Sequence, residues 1–237
     1  MIDWKRRCET LEHELGHLTD CLSHGLAAPL RAADGFSQVL LSSHAAGLEP
    51  EAQDYLQRIR SAAATMGRHI DALVRLGRVS TAPAQAQRVN LSAMAASILQ
   101  ERQAAAPDRQ VSVSVHGELE VMGDARLLDK LMTSLLDNAW KFTRHEPAPR
   151  IELDGQVQGA EKVYRVRDNG AGFDLTQARQ LFHPFGRQHT DGEFEGLGMG
   201  LAIARRVVHR HGGRIWAESA PGAGATLSFT LDELVAD

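Results

Sequence analysis

The chain has 237 residues, with 26 Lys and Arg against 30 Asp and Glu, 43% hydrophobic and 24% charged residues. That length allows one large domain or two small ones, and the composition supplies a real core, which excludes a disordered or collagen-like chain. A net charge of −4 offers no basic face, so nucleic acid is not the expected partner. No apolar run reaches the ~18 residues that cross a bilayer, so no direct membrane segment is expected. The charged start MIDWKRRCETLEHELGH is not a secretion signal. Two cysteines, Cys8 and Cys21, make no disulfide framework and fit a reducing, cytoplasmic setting.

Residues 1–79 read as a helical hairpin. Leu11, Leu15, Leu18, Leu22 and Leu26 recur every three or four positions and share a face. A second stripe, Leu56, Ile59, Ala63, Met66, Ile70 and Leu73, has the alternating spacing of a bundle. The segment SSHAAGLEPEAQ turns the chain between them. Two helices alone bury little surface, so two hairpins are expected to pair as a dimeric four-helix bundle. A hairpin packed on the rest of its own chain is the alternative. On the first helix His13, His17, Asp20 and His24 fall within ~60° of one another, opposite the leucines. A plain solvated face explains His13 and His17, and a metal site there would have Asp20 as its only nearby carboxylate. His24 stands apart because Pro29 should kink the helix about one turn beyond it.

Residues 80–89, small and polar around Pro83, read as a linker, with a second domain over 90–237. Asn90 can cap a helix to about Ala105. Val111, Val113 and Val115 alternate with serines as in a half-buried strand. Asp124 caps a helix through Phe142. Strands are expected near 150–157, 162–167, 214–218 and 225–231, a glycine-rich loop over 183–198, and a helix over 200–211. Helices mixed with strands imply a two-layer α/β sandwich, so the whole reads as α + α/β.

Four groups of residues carry chemistry. His24 offers an imidazole on the exposed side of the hairpin. Asn138 and Lys141, three apart on one helix, share a face: an amide oxygen suits Mg²⁺ and an ammonium offsets phosphate charge. Asp168, at a strand end before Asn169-Gly170-Ala171-Gly172-Phe173, can accept from an amino group such as that of adenine, and the glycines allow close approach. Gly196-Leu197-Gly198-Met199-Gly200 opens a helix whose N-terminus favours phosphate. It is neither a dinucleotide fingerprint nor a Walker loop. Taken singly, a solvated helix face or an Asp-Asn-Gly turn explains each of the weaker motifs.

Their order is more specific. SHGLAAPLRAADGFSQVL, LLDNAWKFT, DNGAGF, LFHPFGRQH, GLGMGLAIARRVVHRHGGRIWAES and PGAGATLSF resemble, in sequence order, the phosphoacceptor, N, G1, F and G2 boxes and the last glycine-rich turn of the sensor histidine kinases of two-component signalling. The wording is closest to kinase modules of bacteriophytochromes. The resemblance covers about Leu18 to Leu231. It implies ATP and Mg²⁺ as cofactors, His24 as the phosphorylated residue and Asn138 as the metal ligand. It implies Lys141 near the phosphates, Asp168 at the adenine amine, and Gly170, Gly172 and Thr226 lining the nucleotide. A lid over about 183–195 would be docked by Phe182 and Phe185, with Arg187 at the nucleotide. Gly196, Leu197, Gly198, Met199 and Gly200 would cradle phosphates. The implied partners are a second copy through the hairpin and the receiver domain of a response regulator.

The acceptor box departs from the family. Gly25 follows His24 where an acidic residue is usual, Ala27 replaces a common Arg, Ala28 replaces a Thr or Asn that assists dephosphorylation of the partner, and Ser134 replaces Asn or Glu. Slow autophosphorylation and little phosphatase activity are therefore expected, with a non-catalytic ATP-binding scaffold as the alternative. The two modules fill the 237 residues, so no sensor domain is expected within them.

Overall fold

The structure, a computed structural model, describes residues 4–81, 83–159, 161–174, 176, 180–186 and 197–232; the side chains of residues 4–20 and 22–24 lie outside that description. The chain divides into two compact units, Met1–Thr81 and Ala82–Asp237.

The first unit is a helical hairpin. Helix α1 spans Trp4–Ser43, a 3₁₀ turn covers Ala45–Gly47, and helix α2 spans Pro50–Thr81. Pro50 opens α2, where a missing N–H costs nothing and the fixed φ suits a helix. Gln53 Nε2 fixes the turn by donating to Ala45 O at 3.0 Å and Leu48 O at 3.2 Å. Pro29 does not end α1, which continues to Ser43, although it has no N–H to give the carbonyl one turn earlier. Across the pair, Arg60 Nε meets Asp34 Oδ1 at 2.9 Å. Ala63 and Ala72 are buried; their small side chains let the helices approach. The rest of the apolar pattern is only partly used: Ile59, Met66 and Leu73 of α2 and Leu26, Phe36, Val39 and Leu40 of α1 stay exposed.

In the second unit the order is β1 (Gln87–Asn90), α3 (Leu91–Ala105), β2 (Ser112–Val115), β3 (Glu120–Gly123), α4 (Ala125–Phe142), β4 (Arg150–Gln158), β5 (Glu161–Asp168), α5 (Gly200–Arg210), β6 (Ile215–Ser219) and β7 (Ala225–Thr230). Five strands form one sheet in the order β2-β4-β5-β7-β6, parallel only between β2 and β4. The short strands β1 and β3 pair separately and antiparallel. This narrows the expected linker. Residues 80–81 belong to α2 and residues 87–89 to β1, because Val89 and Val121 are buried as a cross-strand pair; among the described residues, only 83–86 are irregular there.

The register fixes the two sheet faces. Leu153, Val166 and Leu227 stand side by side, as do Tyr164 and Phe229, whose rings stack at 5.2 Å. All five are buried, on the face covered by helices. On the other face, Asp154 pairs with Arg165 and Glu152 with Arg167, each 3.3 Å apart and directly opposite in register. Helix α4 supplies the other half of the core through Leu127, Leu128, Leu131, Met132, Leu135, Leu136 and Ala139, and α5 adds Ala202, Ala204, Val207 and Val208. That spacing is a single apolar stripe on each helix.

Candidate functional site

Helix α4 carries Asn138 and Lys141, and its start is firmly held. Asp124 Oδ1 accepts from the N–H groups of Arg126 (2.9 Å) and Leu127 (3.2 Å), two of the donors a helix start leaves unpaired. Asp124 Oδ2 accepts from Gln85 N–H at 2.8 Å and from Arg126 Nη2 at 3.0 Å. Burial raises the Asp124 pKa, but these hydrogen bonds outweigh it and bring it down to about 2. Asp124 N–H in turn donates to Nε2 of buried His211 at 3.2 Å, and His211 Nδ1 lies 2.9 Å from Val207 O. One neutral tautomer satisfies both: Nδ1–H donates and Nε2 accepts. Burial lowers the His211 pKa, consistent with that neutral ring. Along α4, Asp137 is taken by Arg102 at 2.7 Å, while Ser134, Asn138 and Lys141, at i, i+4 and i+7, share another face. Lys141 Nζ lies over the Phe142 ring at 4.1 Å from its centre.

Asp168 ends β5 on the helix-covered face. It is 7% exposed, and its Oδ1 accepts from Gly170 N–H at 2.9 Å. Burial pushes its pKa up to about 6, against the pull of the N–H groups of Gly170 and Ala225, with Glu146 adding to the rise. The following loop docks on the end of α4: Ala171 N–H donates to Phe142 O at 3.1 Å, and the alpha carbon of Gly170 is so close to that carbonyl that a side chain would overlap it. Gly172 has φ +61°, and a Cβ there would collide with Ala220 O. Both glycines are therefore required by the close approach of other protein backbone, where the sequence pointed to a tight turn and the approach of a ligand.

Helix α5 begins against the same face of α4. A Cβ on Gly200 would lie 3.7 Å from Ser134 Cβ, one turn before Asn138. Gly198 abuts the backbone of Phe185 and Gly186, and Met199 is buried. Phe185 has φ +63°, the only non-glycine residue with positive φ among those described. A bulky residue there stores strain of order 1–3 kcal/mol, which is held by its surroundings. Leu197 is half-buried beside Gly198. Thus Asn138 and Lys141 lie between the Asp168 loop at one end of the α4 face and the Gly198–Gly200 turn at the other.

Other expected site residues fall elsewhere. Thr226 stands opposite Arg167 and Glu218 on the other sheet face, and Ala225 is the β7 residue beside Asp168. The two-residue period of a strand forces this. Arg187 and Gly196, and with them most of the expected lid, lie outside the described residues. His24 belongs to α1, in the first unit, and its side chain lies outside the description. Sequence reasoning missed Ser219, whose hydroxyl accepts from Phe173 N–H at 2.9 Å; a lone serine ending a strand gives no signal of such a bond. Among the described residues no group of three or more His, Cys, Asp or Glu is arranged to hold a metal. The donor set would suit Mg²⁺ only as an ion carried largely by phosphates and water, to which an amide oxygen such as that of Asn138 could be added.

No described helix is long and apolar enough to cross a membrane. Residues 123–235 match the family model of the histidine kinase-, DNA gyrase B- and HSP90-like ATPases. The chain is 32% identical over 94% of its length to the methanogenesis regulatory histidine kinase FilI of Methanothrix harundinacea, covering 25% of that protein. It is 29% identical over 95% of its length to the phytochrome-like protein Cph1 of Synechocystis sp., covering 30%. It is also 28% identical over 92% of its length to the signal transduction histidine-protein kinase AtoS of Escherichia coli, covering 34%. The chain thus spans about a quarter to a third of these relatives. Full-length ShkA, solved with AMPPNP, shares the fold at a TM-score of 0.63 over 93% of this chain and 47% of its own, with 21% identity. Residues 123–235 thus carry an ATPase domain of the histidine kinase-, DNA gyrase B- and HSP90-like family, and the chain is similar along nearly its whole length to part of several histidine kinases.

Proposed function

We propose that the chain is an ATP-dependent protein-histidine kinase that phosphorylates His24 and passes the phosphoryl group to an aspartate on a response regulator receiver domain. The observation that carries this reading is the meeting of three motifs around α4: the buried Asp168 carboxylate, the Asn138–Lys141 face and the Gly198–Gly200 turn. Asp168 accepts a hydrogen bond from the adenine amine. Lys141 and the N-terminus of α5 hold the phosphates. Asn138 would hold Mg²⁺ together with the phosphates, and the ion would supply charge neutralisation there. An imidazole nitrogen of His24 attacks the γ-phosphorus, the bond from phosphorus to the β–γ bridging oxygen breaks, ADP leaves and the ring loses a proton. Positioning and charge neutralisation supply most of the catalysis in such transfers. The exposed residues Leu26, Ile59, Met66 and Leu73 support a homodimer through the hairpin.

The ring proton has no carboxylate beside it in sequence, because Gly25 follows His24. General-base assistance is worth ~10²–10⁴ in rate, so autophosphorylation is slow. Nothing lies within 4 Å of a Cβ built on Gly25, so a glutamate fits there. The test is transfer of label from γ-labelled ATP with Mg²⁺. Slow labelling that His24→Ala abolishes and Gly25→Glu accelerates is the expected result. ATP binding with no labelling in either the wild type or Gly25→Glu would leave a nucleotide-binding scaffold instead.

A further inference from the structure

The adenine-binding role of Asp168 depends on a loop that leaves β5 and crosses the top of β7 to the edge strand β6. Several bonds hold that loop from the α4 side. Asn169 Oδ1 accepts from Arg150 N–H at 2.7 Å, Asn169 Nδ2 donates to Ala148 O at 2.9 Å, and Ala171 N–H donates to Phe142 O at 3.1 Å. On the far side the loop is held by the turn between β6 and β7. Gly222 N–H donates to Ala171 O at 2.7 Å. A further tie is a side chain: Ser219 Oγ accepts from Phe173 N–H at 2.9 Å and donates to Gly224 O at 2.7 Å. Gly224 is itself packed against the Asp168 carbonyl. In the register, Ser219, Ala225 and Asp168 form one row across three strands, on one face of the sheet.

We infer that Ser219 is a positioning residue for nucleotide recognition: its hydroxyl ties the Asp168–Phe173 loop to the β6–β7 turn and so fixes the Asp168 carboxylate where it meets the adenine amine. The inference rests on the nucleotide reading above and names a residue outside the family boxes' assigned roles. One hydroxyl meets two requirements that no backbone group at that place meets. Phe173 N–H needs an acceptor and Gly224 O needs a donor, and Ser219 Oγ is both. An alanine leaves both groups without that partner, and leaves the far end of the loop on the bond from Gly222, with the Ala225 N–H holding only the Asp168 end.

The test compares wild type, Ser219→Ala and Ser219→Thr, using the whole chain. Calorimetry gives the affinities for ATP and for ITP, in which a carbonyl replaces the adenine amine. Hydrogen exchange in nucleotide-free protein gives the protection of Phe173 and Gly170 N–H. The wild type should prefer ATP. Ser219→Ala should weaken ATP binding about tenfold, the scale of one lost hydrogen bond, leave ITP binding nearly unchanged, and speed exchange at both amides. Ser219→Thr, which keeps the hydroxyl, should restore the ATP preference. Faster exchange or a lower melting temperature in Ser219→Ala, with the ATP-to-ITP ratio of the wild type, would mean a structural role only and overturns the inference. Unchanged exchange overturns it too. A wild type that binds neither nucleotide, or both alike, overturns the adenine reading of Asp168 itself, and the exchange result then reports separately on the tie.

Discussion

At the scale of single residues, Asp168 decides most. Its carboxyl is pushed up to about 6 by burial, and only the ionised form accepts fully from an amine. ATP affinity should therefore fall as pH drops through about 6, while an Asp168→Asn variant should bind weakly at every pH; titration calorimetry between pH 5 and 8 checks both. Protein stability should move the other way. The folded state holds a proton that the unfolded chain, with its ordinary value of 3.8, releases, so this group stabilises the fold as pH falls from about 6 toward 4. The place of Asp168 was legible in the sequence because a carboxylate, a strand end and two glycines stand together. Its neighbours were not. Thr226 was read from a box, and a box carries no register, so the alternation that turns Thr226 away and puts Ala225 beside Asp168 emerged only with the pairing of β5 and β7. Ser219 lies 46 residues from the amide it accepts, beyond the reach of any local pattern.

At the scale of elements, α4 is the platform of the site, and its cap is the place to weaken it. Asp124 is 1% exposed, caps α4, accepts from Gln85 N–H and adjoins His211. Asp124→Ala should cost about 1–2 kcal/mol for the cap alone, and more as the tie to Gln85 is lost; Asp124→Asn should cost less, because its amide oxygen still caps. Urea unfolding measures the difference. Since the Asp124 pKa is lowered to about 2, its contribution is fully present above about 3.8 and is lost as pH falls toward 2. His211→Ala should cost a further ~1–3 kcal/mol by leaving Asp124 N–H without its buried acceptor, while Val207 O keeps the backbone N–H of residue 211. The long helices were legible from their periodicity and caps. Strands β1 and β3 were not, because four residues each with one buried valine show no alternation, and they declare themselves only by pairing with one another. That pairing is what shortened the linker.

For the molecule as a whole, the hairpin is unfinished on its own and the ATPase unit is not. The core of the second unit is closed around Leu128, Leu131, Leu135 and Phe229, each at 0% exposure, whereas the hairpin leaves an apolar stripe open. Sedimentation should show a dimer, and Ile59→Glu with Met66→Glu should shift it toward monomer without lowering ATP affinity per chain. The order of the boxes made the two-unit plan legible; which apolar positions a single hairpin buries depends on side-chain packing that periodicity does not contain. The central claim joins the two units: the nucleotide bound in one gives its terminal phosphoryl group to the other. The most direct measurement is peptide mapping by mass spectrometry, kept alkaline after incubation with ATP and Mg²⁺. One acid-labile phosphoryl group on His24 is the predicted result, absent from Asp168→Asn. Phosphate on a different residue, or none on Gly25→Glu protein that binds ATP, would contradict the account.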